Sequence, residues 1–209
     1  MIVNILLALL SATSLPKTSI DPACAERSKA LAESMEAGVS AASGRTWLPQ
    51  ITLESIISVR QVTFLRAYDS LSDPPEVYVF VCAAGLVTYV TGGDTFGFRE
   101  IVRQMSSESA LTEEEQLTIA SFYFEYLEGL TPGLLTSSSN ATACRLEEAH
   151  TRLTSPEIRS EHGRSTIHAL VCDRRTARLD RVTIVIDDAV GFEVESRHKL
   201  HEGKRSQRY

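Results

Sequence analysis

The chain has 209 residues, 43% hydrophobic and 23% charged, an ordinary globular composition with room for one domain. Its 21 basic against 27 acidic residues give a formal charge of −6, without the global electrostatic footprint of a nucleic-acid binder. Disordered, collagen-like and polytopic membrane chains are excluded by the same composition.

Met1 to Leu10 reads MIVNILLALL, an apolar run broken only by Asn4, and the small residues Ser11 to Ser14 follow. That is the layout of a secretory leader, too short for the roughly 20 residues of a membrane span. The expected organisation is a signal peptide over residues 1–20, a single α+β domain over 21–197 and a polar basic tail over 198–209. The chain is then exported, to a periplasmic or extracellular space. Export makes Cys24, Cys82, Cys144 and Cys172 candidates for two disulfides, in any of three connectivities. No Cys-x-x-Cys pair is present, which argues against a zinc ribbon or a thioredoxin-like site.

Asp21 and Pro22 suit an N-cap and a first helical position, and a helix is predicted over Pro22 to Ala42. Cys24, Ser28, Leu31, Met35 and Val39 are its expected buried face, with Glu26, Arg27, Lys29, Glu33 and Glu36 toward solvent. From Ile51 to Tyr68 the β-branched and aromatic residues favour strand, although Leu53, Ile56, Ile57 and Arg60 also fit a helix start. Two strands joined by the loop Ser70 to Pro75 is the preferred reading. The uncharged stretch Val77 to Thr91 reads as two strand segments with a turn or bulge at Gly85. Asp94 is the expected cap of a helix through Met105, with Phe98, Ile101, Val102 and Met105 buried.

Thr112-Glu113-Glu114-Glu115 is a capping box with three carboxylates at the positive end of a helix dipole. Leu117, Ala120, Phe124 and Leu127 carry the apolar stripe on to Gly129. Phe122, Tyr123 and Tyr126 widen it, and their expected role is core packing rather than ligand stacking. Residues 131–142 read as loop, with a glycosylation acceptor at Asn140-Ala141-Thr142, and 143–153 as a short helix. Thr166 to Cys172, Arg181 to Asp187 and Val190 to Ser196 alternate with period 2, as in an antiparallel meander. The fold class is therefore α+β, an antiparallel β-sheet with several α-helices packed on one face. Charge is uneven along the chain: net −2 over residues 1–105, −7 over 106–150 and +3 over 151–209. Solvated helix and strand faces account for such a distribution, and so does a charged partner.

Motifs that carry chemistry are sparse. His198 and His201 with Glu193 and Glu195 offer zinc donors, but not the spacing of a zinc peptidase, and solvated tail histidines are the preferred reading. Ser40 in Gly38-Val39-Ser40-Ala41 lacks the second glycine of an esterase elbow. Ser196 and Lys199 match a Ser-x-x-Lys pattern, but such a site needs a buried lysine and this segment is polar. Gly203-Lys204-Arg205-Ser206 lacks the upstream glycine of a phosphate loop, Asp187-Asp188 fits a hairpin turn, and Trp47 fits a core plug. These motifs assign no catalytic residue, and neither a metal, a cofactor, nucleic acid nor membrane integration is expected. The expected function is a non-catalytic exported domain that binds a protein or another extracellular component, as inhibitors and immunity-type proteins do. The alternative is an exported hydrolase whose acid–base histidines, His150, His162 and His168, assemble only in three dimensions.

Overall fold

Short β-branched runs separated by tight turns pair with their neighbours in sequence, and here they do so twice. The computed structural model describes residues 20–43, 49–71, 77–90, 95–136, 155–176 and 178–202. The first sheet takes β1 (Ile51–Val59), β2 (Val62–Asp69), β3 (Val77–Ala83) and β4 (Leu86–Val90) in that order, all antiparallel. The second takes β5 (Pro132–Leu134), β7 (Arg164–Asp173), β8 (Arg178–Asp187) and β9 (Gly191–Glu202), and β6 (Glu157–Glu161) pairs with β7. The α+β class holds, with the strands divided between two sheets.

Residues 51–69 are a hairpin rather than one strand. Arg60 and Gln61 turn it, with Arg60 at φ +55°, and the polar pair left no glycine to mark the turn. Val77 to Val90 is the second hairpin, bent at Ala84-Gly85 as the sequence predicts. Ser55 stands opposite Leu65 and Ile57 opposite Phe64, so Ile56 is a bulged extra residue in β1.

Helix α1 (Pro22–Ser43) covers one face of the first sheet, against Leu65, Ala67, Tyr78 and Phe80. Its buried row is Cys24, Ser28, Ala32, Glu36 and Ser40, while Leu31 is 42% exposed. Small side chains at four of these five positions, spaced four residues apart, let the helix lie close on the sheet. The Cys24–Cys82 disulfide, with Cα atoms 6.1 Å apart, fixes its rotation. Glu36, expected in solvent, is fully buried and accepts a 2.8 Å hydrogen bond from the Tyr78 hydroxyl.

The main core lies between the sheets. Helix α2 (Phe96–Glu108) buries Phe98, Ile101, Val102 and Met105, the face read from sequence, and its N-cap is Thr95; Asp94 lies outside the described residues. Helix α3 (Glu113–Phe122) starts at the predicted capping box, Thr112 with Glu115, and runs into a π-helical turn over Tyr123–Leu127 that ends at Gly129, φ +66°. Phe64 packs against Phe122 at 4.3 Å between ring centroids, Phe98 against Phe122 and Phe192, and Tyr123 against Phe192. Residues of both sheets thus share one aromatic cluster. Gly191 lies where a Cβ would come within 2.0 Å of the Arg99 carbonyl oxygen, so β9 passes α2 backbone to backbone.

Arg60 ties the first hairpin to both helices. Its guanidinium donates to both Glu115 carboxylate oxygens, at 2.9 and 3.1 Å, and to the carbonyls of Met105, Ser109 and Ala110.

Strand β9 continues to Glu202, beyond the tail boundary expected at Arg197, because Arg197 has inward partners. It donates to both oxygens of Glu128 at 2.7 Å, and its guanidinium carbon sits 5.5 Å from the Phe124 ring centre. Strands β5 and β6 fall in segments read as loop or polar patch. The leader, Trp47, Asn140, Cys144, the helix expected over 143–153 and the Gly203–Ser206 motif lie outside the described residues.

Candidate functional site

An open groove of about 680 Å³ runs between β1 and the α3–π-helical segment. Its apolar floor comes from Ile56, Ile57, Leu117 and Phe122. Consecutive isoleucines on a regular strand face opposite ways; the bulge at Ile56 is what lets both line the same groove. The helical wall is set by α3, whose capping box fixes where it begins and hence where Glu113, Glu114, Leu117, Thr118 and Ser121 project. The π-helical turn then carries Glu125 and Tyr126 onto the same side, and Thr136 closes the far end. Helical turns of this kind recur at functional positions.

The rim is acidic. Glu113 and Glu114 form no ion pair among the described residues. Glu125 titrates above the usual carboxylate range, because desolvation outweighs a hydrogen bond from Tyr126 and the nearby Arg66. Burial likewise raises the Tyr126 hydroxyl. Beside that end, Glu54 holds Arg66 at 2.5 Å and accepts from the Tyr68 hydroxyl at 2.9 Å, so Arg66 is already matched to a carboxylate.

A second, smaller cavity of about 190 Å³ lies under the β6–β7 hairpin, lined by Gln116, Ser160, Ser165, His162 and Asp188 among others. Gln116 is 2% exposed and donates through Nε2 to the Leu111 carbonyl and to Ser165 Oγ. The Leu111 carbonyl can only accept, so the amide orientation is fixed, and its Oε1 lacks a hydrogen-bond partner among the described residues. Ser160 and Ser165 hydroxyls lie 2.8 Å apart.

The residues singled out from sequence are dispersed. Cys24 and Cys82 are bonded to each other, Cys172 is also in a disulfide, and no described cysteine is free. His162 sits in a hairpin turn at φ +50°, His168 Nδ1 lies 3.2 Å from Thr183 Oγ1, and His150 is outside the described residues. The zinc reading needed a helical turn at His198 and His201, but that segment is strand, and Glu195 pairs with Arg164. Among the described residues no group of three metal-ligating side chains converges. Ser40 lies in the interior of α1, and Asp187 accepts from the Ala189 and Val190 amides as a turn residue. The groove was not read from sequence; its one legible trace was the excess of acidic residues over 106–150. Compared with protein-family models, curated proteins and solved structures, the chain matches none.

Proposed function

We propose that this chain is an exported, non-catalytic binding domain that takes a peptide segment of a partner protein into the groove between β1 and α3. The groove itself carries the reading: an open trough of about 680 Å³ with apolar side chains on its floor and hydroxyls and carboxylates along its wall. A groove open to solvent and lined from both a strand and a helix suits a chain segment laid between them. A disulfide that pins α1, and the lack of any described helix long and apolar enough to cross a membrane, support the exported setting.

The test is peptide display on the oxidised chain, counter-selected on a Ser121→Arg variant that fills the groove. Selected peptides are expected to shift the amide resonances of Ile56, Leu117 and Tyr126. Enrichment that Ser121→Arg does not abolish, or shifts confined to other surfaces, would overturn the reading.

The hydrolase alternative rests on the smaller cavity, where His162, Asp188 and Ser160 share a lining. Ser160, however, bonds to Ser165, which in turn accepts from Gln116, and no hydrogen bond links His162 to a serine among the described residues. A nucleophile needs its base within hydrogen-bond reach. A fluorophosphonate probe is expected to leave the chain unlabelled; labelling at Ser160 would reverse the choice between the two readings.

A further inference from the structure

Glu113 and Glu114 have a structural reason to be where they are, because carboxylates in the first turn of α3 face the positive end of its dipole. Glu125 has the opposite setting. It lies in the last turn, where the dipole disfavours an anion, and it is partly desolvated enough to titrate high. A carboxylate in that setting at a groove wall is not one that the helix itself calls for. All three carboxylates line the same trough, one pair at each helix end's side of the apolar floor: Glu113 with Glu114, and Glu125 beside Tyr126. From Glu114 to Glu125 the helical path covers about 16 Å, at 1.5 Å per residue. An extended chain spans that distance in about five residues, and since alternate side chains face the same way, the even spacing that reaches across it is about six.

Resting on the binding reading above, we propose that the segment the groove accepts is cationic and extended. Two basic side chains about six residues apart, on one face of the segment, meet Glu113 and Glu114 at one end and Glu125 at the other, with apolar side chains of that face between them on Ile56, Ile57 and Leu117. The only described cation close to Glu125 is Arg66, already held by Glu54, so an incoming positive charge finds an unmatched carboxylate at each end. Each exposed pair contributes a few-fold at most, and the set about tenfold.

The experiment is a resonance-shift titration of the oxidised chain with the heptapeptide Lys-Ser-Leu-Ser-Leu-Ser-Lys, blocked at both termini, whose lysines and leucines share one face when extended. Its analogues carry Gln or Glu at both ends, and an isomer has the two lysines adjacent. The lysine peptide is expected to bind about tenfold tighter than the Gln analogue at low salt, and the Glu analogue weaker still. The advantage is expected to shrink at higher salt, and by about threefold in Glu125→Gln and again in Glu113→Gln/Glu114→Gln, with the thermal midpoint read alongside. Glu125→Gln keeps the test sound if the double variant weakens α3. Equal binding of the Lys and Gln peptides would overturn the cationic proposal and leave the groove reading standing. Equal binding of the adjacent-lysine isomer would overturn the spacing. No peptide binding better to the native chain than to Ser121→Arg would overturn both readings.

Discussion

Replacing Arg60 removes five hydrogen bonds at one stroke, two to a carboxylate and three to backbone carbonyls at the end of α2. Its side chain is 21% exposed and that of Glu115 is 23% exposed, so water replaces part of what is lost. Charged hydrogen bonds contribute about 1.5–3 kcal/mol each when buried; discounted for solvent and for shared geometry, Arg60→Ala is expected to cost about 3 kcal/mol. For a chain of this size that is a fall in thermal midpoint of about 6–12 °C. Arg60→Lys keeps the charge without the fork and should recover less than half of it. Arg60→Gly loses the clamp but relieves the left-handed backbone at φ +55°, and should lie about 1 kcal/mol above the alanine variant. The pH dependence has a definite sign. Hydrogen bonding from Arg60 holds the Glu115 carboxyl below its ordinary range, so its contribution is present above the unfolded carboxylate pKa and is lost as pH falls through the folded one. The gap between native chain and Arg60→Ala, followed by circular dichroism melts from neutral to acid pH, should therefore narrow on acidification. A gap under 1 kcal/mol at neutral pH, or one that does not change with pH, would refute the clamp.

Gly191→Ala should be among the most damaging single substitutions, at above about 4 kcal/mol, since it adds a Cβ at φ +72° against the α2 backbone; poor recovery of folded protein checks it. Cys24→Ser/Cys82→Ser opens a crosslink of sequence separation 58, worth about 4 kcal/mol by loop entropy, and amide exchange should rise first in α1. Glu125→Gln should be neutral or slightly stabilising at neutral pH, within about 0.5 kcal/mol. The sign follows from the raised carboxyl: its contribution is present below the unfolded pKa and is lost as pH rises through the folded one, so melts of the two proteins should converge on acidification.

What the sequence made legible was local. The capping box at Thr112 and Glu115, the buried face of α2 and the β7–β8–β9 meander each follow from a periodicity or a side-chain-to-backbone bond within a few residues. What it hid depended on partners far away in the chain. Leu31 loses its place on the buried face of α1 to Ala32 and Glu36 because the sheet beneath is close and Tyr78 supplies a donor. The turn at Arg60 was invisible because its stabilisation comes from helix ends 45 to 55 residues later. The groove was hidden for a related reason: its floor needs a bulge at Ile56, and no local pattern in Ser55-Ile56-Ile57 announces one.

That bulge has a bearing on how the chain meets copies of itself. Among the described strands β1 is an edge of its sheet, and an edge strand presents a row of backbone groups to strand addition. The extra residue breaks the even rhythm of the ladder and bends the strand, so a second chain finds no straight edge to zip against. An irregular edge and the shape of the groove are then two results of a single inserted residue. Deleting Ile56 would restore an unbroken β1–β2 register, take away part of the groove floor and leave a flat edge prone to dimer and fibre growth, which light scattering would register as mass increasing with concentration.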